Sequence, residues 1–445
     1  MLNNLSWVIG VALVLGVMVL VHEWGHFIVA KMCGVRVDVF SIGFGPRLFG
    51  IKRGPTDYRL SALPIGGYVR MAGDNPLEDR KGEPDEFLSK PRWQRVLIAL
   101  AGPTMNVITA VVLLTGLFMN GRQQPAFLDR PIALAGVIPN STAQHAGLMA
   151  GDKIVELNGF KDPTWDRAEL ELSASLPGST IPIVVDRGGQ QLSFEVPATT
   201  SLMASSDPAS DAFGYPEDKV MIVQTVPGLP AEVGGLKAGD QIVSVDGIAV
   251  VNRVHFTELV QREAVHTLDL VIVRNGKQMH VEVRAQRQSL GGGRARWQIG
   301  ADLVGETFEK RYSLPAALGY SLEMNSLFGR QIVTVVGDLF VGKVSLKQLE
   351  GPLGIAQESG RAVRSGPEET LLLMALIGMN LAILNLLPIP PLDGGHILLL
   401  AIEGSLRRDL SLRVKERFIT VSMVFILLVF AIVMYNDVLR LLPHH

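Results

Sequence analysis

Cysteine is nearly missing: the 445-residue chain has one, Cys33. An intramolecular disulfide is therefore impossible, and a cysteine-based zinc site is excluded. Cys33 reads as a small packed residue. Charge is scarce as well. Asp, Glu, Lys and Arg make up 19% of the residues and mean hydropathy is +0.29, too apolar for an ordinary soluble enzyme and indicative of membrane spans. Neither sign is in excess, since the formal net charge is -2. The basic surface that a nucleic-acid partner demands is absent. No Lys or Arg precedes the first apolar run, which covers residues 5–30. It therefore lacks the basic start of a cleaved signal peptide and reads as a retained span.

Inside that run stands His22-Glu23-Trp24-Gly25-His26. On a helix, residues four apart share a face, so the two imidazoles lie one turn apart and point the same way. That spacing suits two ligands of one zinc ion, with Glu23 beside them as general base. Two surface histidines would be the bland explanation. It fails on location, because ionisable groups in a membrane-length apolar segment are costly and mark function.

Twelve Lys and Arg residues follow between Lys31 and Arg95, among them Arg80 and Lys81. By the positive-inside rule this loop is cytoplasmic and the amino terminus lies outside. Within it, Asp57–Pro64 and Tyr68–Ala72 flank Ile65-Gly66-Gly67 and predict a β-hairpin, a possible edge strand beside the metal. Val96 to Met119 is a second span, interrupted at Gly102-Pro103 and Asn106. The Gly-Pro pair lets a neighbouring helix approach closely, and Asn106 reads as a hydrogen-bonding packing residue.

A polar insert over 121–368 contains a domain-sized repeat. Ala143-x-x-x-Gly147-Leu148-x-x-Gly151-Asp152-x-Ile154 returns eighty-eight residues later as Ala231-x-x-x-Gly235-Leu236-x-x-Gly239-Asp240-x-Ile242. This signature resembles PDZ domains, β-rich modules that capture peptide ends or extended strands. The modules are expected at 121–200 and 213–288, with Pro197–Ala212 as a flexible linker. The region 289–368 is expected to hold amphipathic helix, either along the outer membrane surface or buried against the second module, with Leu318, Leu322 and Leu327 among its apolar positions, and the turn-rich Leu349-Glu350-Gly351-Pro352 after it.

A third span breaks at Asn385-Leu386-Leu387-Pro388-Ile389-Pro390-Pro391-Leu392-Asp393-Gly394-Gly395-His396. Irregular backbone at membrane depth survives only where protein buries it or it lines a wet cavity. A basic loop over 401–417 and a fourth span over 418–438 complete the chain. The expected order is thus helix 1–31, loop 32–93, helix 94–120, two modules, amphipathic region, helix and broken segment 369–400, loop and last helix. Four crossings bring Asp393 to the same side of the membrane as His22 and His26. Asp393 is the best third ligand, with His396 the runner-up, and the donor set suggests zinc.

Together, His22-Glu23-x-x-His26, Gly102-Pro103-x-x-Asn106 and Asn385-x-x-Pro388-x-Pro390-x-Leu392-Asp393-Gly394 match three signatures of the site-2 protease family. With two PDZ-like modules between the second and third spans, the chain resembles that family along essentially its whole length. The resemblance implies a polytopic α-helical membrane protein of the bacterial inner membrane, with four transmembrane helices and two inserted PDZ-like periplasmic domains. It implies a zinc metalloendopeptidase of regulated intramembrane proteolysis and envelope stress signalling. Expected partners are membrane lipid and single-span membrane proteins, such as a trimmed anti-sigma factor or remnant signal peptides, filtered by the modules. Asn380 and Asn385 would hold the substrate backbone near the metal. The hairpin residues Tyr58, Arg59, Leu60, Ser61, Ala62 and Leu63 would pair with it as a strand. A scaffold with a vestigial site and a metal transporter are the rivals; neither needs Glu23.

Overall fold

The structure, a computed structural model, describes residues 2–74, 82–175, 179–198, 208–262, 267–291, 294–341 and 351–441. Arg80, Lys81, the middle of the expected linker (199–207), the end of the amphipathic region and Leu349-Glu350 lie outside the described residues. The chain forms two compact units, Met1–Gly121 with Arg311–His445, and Arg122–Lys310.

The first unit holds the long helices α1 (Leu2–Met32), α2 (Arg92–Asn120), α3 (Leu314–Val341), α4 (Pro352–Ser365), α5 (Pro367–Asn385), α6 (Asp393–Leu406) and α7 (Leu412–Leu441). Four stretches, Trp7–Met32, Arg92–Asn120, Pro367–Asn385 and Leu412–Val438, are long and apolar enough to cross a membrane, as the sequence predicts. α7 leaves Val421, Val424, Leu427 and Leu428 more than half exposed. So much exposed apolar surface on one helix suits lipid and not water. α1 stops after Lys31, a cation in its last turn, where it complements the helix dipole.

Between α1 and α2 lies a sheet made of β1 (Val37–Arg53) and β2 (Thr56–Met71). Phe40 opposes Val69 and Ile42 opposes Gly67 on one side of β1, while Phe40 opposes Tyr58 and Ile42 opposes Leu60 on the other. The far half of β1 then pairs back, with Ile51 opposite Tyr58 and Phe49 opposite Leu60. The expected hairpin between Asp57–Pro64 and Tyr68–Ala72 is therefore corrected, because the first half of β1 lies between its two arms. The cause is Val37-Asp38-Val39-Phe40-Ser41, buried at every second residue, a strand pattern that the hairpin reading left out. Tyr58, Arg59 and Leu60 have strand neighbours on both sides. The edges belong to Gly67–Met71 on one side and to the far half of β1 on the other.

α3 packs against α2 and α5, with Ala317 in one cluster with Ala110, Leu114, Phe118, Ala375 and Met379. Ser321 Oγ donates to the Val111 carbonyl at 2.9 Å. Ala317, Ser321, Asn325 and Leu327 are buried on α3, whereas Leu318 and Leu322 are 41% and 53% exposed. Small and hydrogen-bonding residues suit close contacts between helices.

The second unit is β-rich and holds two modules, as the repeat predicts. In the first, the strand order is Phe160–Lys161, Lys153–Leu157, Thr180–Arg187, Gln190–Pro197. In the second it is Lys277–Arg284, Thr267–Arg274, Gln241–Val245, Val220–Thr225, Ala301–Val304. The repeat extends to an ion pair that fastens the Gly-Asp turn in each. Arg187 Nε meets Asp152 Oδ1 at 2.6 Å, and Arg274 Nε meets Asp240 Oδ1 at 2.6 Å.

Both expected module boundaries move. Ala212 and Phe213, on the short helix Pro208–Phe213, are buried in the core of the first module, so the described end of the expected linker is an anchor. Composition cannot reveal one large ring that finds a core. The second module runs on past residue 288, because Ala301–Val304 pairs with Val220–Thr225.

Candidate metal centre

α1 carries the site, running unbroken through His22 and His26, which are 6% and 7% exposed. α5 ends at Asn385 ahead of the proline-rich segment, and α6 begins at Asp393. Prolines cannot continue the ladder, so the break at 386–392 places the Asp393 carboxylate in a first helical turn, facing the histidine pair. An acid there is also favoured by the helix dipole.

Three donor side chains converge, the two imidazoles each meeting a different oxygen of Asp393. His22 Nε2 lies 3.1 Å from His26 Nε2 and 3.1 Å from Asp393 Oδ2, and His26 Nε2 lies 3.5 Å from Asp393 Oδ1. Ligand atoms about 2.0–2.1 Å from a tetrahedral ion stand about 3.3 Å apart, so the triangle has the size that zinc requires. Its chemistry fits as well, two imidazole nitrogens and one carboxylate oxygen with a fourth position left over. Among the described residues this is the one group of three or more such side chains with metal-binding spacing.

The outer contacts set the tautomers. His26 Nδ1 donates to the Ile98 carbonyl at 2.7 Å, which leaves Nε2 unprotonated for a metal. Asn106, fully buried, sets its amide Nδ2 3.3 Å from His22 Nδ1, and its Oδ1 has no partner. With the amide turned over, the oxygen would accept the Nδ1 proton and free His22 Nε2 in the same way. Asn385 Nδ2 stands 3.3 Å from His22 Nε2.

Close approach of α2 depends on Gly102. A Cβ there would fall on His26 Nε2 and on the His22 ring. Likewise a Cβ on Gly394 would fall on the Leu386 carbonyl, so the turn before α6 closes only around glycine.

The three donors open on a cavity of about 520 Å³, lined also by Glu23, Val69, Met71, Asp74, Asn385 and His396. Glu23 Oε2 accepts the Val69 N–H at 3.0 Å. The expected His22, Glu23, His26, Asp393 and Asn385 thus meet at one place. His396 lines the cavity outside the triangle. Asn380, half-buried one and a half turns earlier on α5, does not line it. Neither do Tyr58, Arg59, Leu60, Ser61, Ala62 and Leu63, whose expected edge position is taken by Gly67–Met71. Sequence reasoning missed Asp74 and the backbone of Val69 and Met71. A main-chain amide has no sequence signature, and Asp74 stood out only as an acid after a strand.

The model of peptidase family M50 matches residues 10–429. The regulator of sigma-E protease RseP of Escherichia coli is 31% identical over 449 residues, covering 96% of this chain and 97% of that protein. A Vibrio cholerae protein provisionally named a zinc metalloprotease is 30% identical over 458 residues, covering 99% and 100%. A protein of Ralstonia nicotianae with a similar name is 32% identical over the full length of both. The chain belongs to peptidase family M50 and is a zinc metalloprotease.

Proposed function

We propose that this M50 protease cuts peptide bonds within or near the transmembrane segment of single-span membrane proteins. The observation that carries the reading is the His22–His26–Asp393 triangle, built from a helix of membrane length and the break after another. A soluble protease has no reason to place its metal there, given the cost of ionisable groups in lipid.

His22 Nε2, His26 Nε2 and Asp393 would hold zinc. When bound, zinc supplies Lewis acidity, lowering the pKa of water to about 7 and polarising a carbonyl. Glu23 takes the proton of the attacking water and delivers it to the leaving amine. Asn385 is placed to hold the substrate backbone; Asn380, outside the cavity wall, would act only on a more distant part of the substrate. A helical substrate hides its peptide bonds, so it has to unwind locally, and a strand edge can replace the lost hydrogen bonds. The edge beside the metal is Gly67–Met71, which takes over the part first given to Tyr58–Leu63.

The basic loops around 31–95 and 403–417 support a cytoplasmic side for both, which sets the termini and the Arg122–Lys310 unit in the periplasm. The repeated Gly-Leu-x-x-Gly-Asp turn supports a PDZ-like identity for the two modules, which would contact or sterically filter the outer parts of substrates. Relatives named as regulators of sigma-E favour a trimmed anti-sigma factor as substrate, and remnant signal peptides come second.

The test is the purified chain with a single-span substrate in bilayers. Zinc-dependent fragments are expected, and Glu23→Gln should lose them while keeping its zinc. Substrate that stays whole with zinc present, or fragments that persist in Glu23→Gln, would end the reading.

A further inference from the structure

The edge beside the metal already has partners. Val69 gives its N–H to Glu23 Oε2 at 3.0 Å, and Met71 gives its N–H to Asp74 Oδ2 at 2.9 Å. The two residues are two apart on one strand, so both amides leave the edge that β1 does not use. All four residues line the metal cavity. An extended peptide joining this edge needs the same two donors for its own carbonyls. It meets carboxylates there, and a carboxylate accepts more strongly than a peptide carbonyl.

We propose that Asp74, together with Glu23, caps the edge strand until a substrate strand arrives, and that strand pairing converts Glu23 from a cap into the working base. The inference rests on the reading above, in which substrate adds to Gly67–Met71. Substrate carbonyls replace Glu23 at the Val69 N–H and Asp74 at the Met71 N–H. The freed Glu23 carboxylate then turns to the water it has to deprotonate. In the empty site the base stays tied to backbone. Asp74 touches no reacting atom; it is a positioning residue that sets how hard the edge is to enter.

The experiment uses the full chain with zinc, in the uncleaving Glu23→Gln background, and measures binding of a single-span substrate. Asp74→Ala should tighten binding about ten- to a hundredfold, the size of one competing hydrogen bond to a charged group. Asp74→Asn keeps an oxygen for Met71 and should tighten it clearly less. With Glu23 intact, Asp74→Ala should lower KM. Hydrogen exchange at the Met71 amide should speed up in substrate-free Asp74→Ala and slow again when substrate binds. Unchanged affinity in Asp74→Ala, or equal gains in Ala and Asn, would overturn the proposal, the second by pointing to charge repulsion. If Asp74→Ala fails to retain zinc, Asp74→Val takes its place in the same comparison. A chain that cleaves no single-span substrate fails the underlying reading; one that cleaves but binds substrate alike with and without Asp74→Ala fails only this inference.

Discussion

At the metal centre, positions of single atoms decide whether the site exists. Gly102 has only a hydrogen where any other residue would put carbon onto the imidazole nitrogens. Gly102→Ala is expected to lose zinc and activity together, since the ring nitrogens and the added methyl cannot share the space; metal analysis of the purified variant checks it, and full occupancy would refute it. Asn106→Leu should behave differently. It leaves His22 in place but removes the partner of its Nδ1, so zinc affinity should fall about 10–100-fold, as for other outer-shell losses. Competition with a chelator measures that. The ligands themselves were legible in the sequence, because His22, Glu23 and His26 are locked in register by one helix and Asp393 stood in a break that lipid forbids without a purpose. What holds them was not. The Ile98 carbonyl that orients His26 is a backbone atom, and the pairing of Asn106 with His22 joins residues eighty-four apart.

Among the elements, the sheet beside α1 shows where periodicity misleads. Residues 57–64 and 68–72 do form strands, but their neighbour in the sheet comes from Val37–Ile42, and sequence alternation carries no information about which strand lies next to which. The two arms now have distinct expected responses to proline. Arg59→Pro strikes a strand paired with Ser41 on one side and Gly50 on the other, and it should cost the fold and lower the yield of zinc-loaded protein. Val69→Pro removes a donor that points at Glu23 and away from β1, a place where strands tolerate proline. It should retain zinc while losing most cleavage. Equal zinc loss in both would contradict the assignment of the edge. In the modules the repeated ion pairs predict a pH response. Burial pushes the Asp152 and Asp240 carboxyls up, but hydrogen bonds from Arg187 and Arg274 outweigh it and hold both below the usual carboxylate range. Their folded values are lowered, so their stabilisation is complete above the unfolded value of about 4 and is lost as pH falls through the folded one. Asp152→Asn should therefore destabilise the first module at pH 7, by about 1.5–3 kcal/mol, and hardly at all in strong acid. Melting followed through Trp165, buried in that core, reads the difference.

For the molecule as a whole, the order of the chain and the chemistry it serves belong to different units. Every residue of the metal centre lies in Met1–Gly121 or Arg311–His445, and the Arg122–Lys310 unit has hydrophobic cores of its own. The two ends left behind by removing that unit are already neighbours, because the Tyr312 N–H donates to the Phe118 carbonyl at 3.1 Å and their rings meet edge to face. A short Gly-Ser bridge can therefore replace 122–310 without straining α2 or α3, since closing a short loop between adjacent ends costs little entropy. The shortened chain is expected to keep its zinc and to cleave single-span substrates that carry short outer segments. Substrates with a bulky folded outer domain separate the possible roles of the modules. If the modules act as a filter, such substrates are spared by the full chain and cut by the shortened one. If they act as a docking site, the shortened chain is slower on every substrate, with the loss appearing in KM. Cleavage rates of one transmembrane segment fused to outer domains of graded size, compared between the two chains, distinguish these outcomes, and a uniform loss of activity at every size would remove the filter from the account.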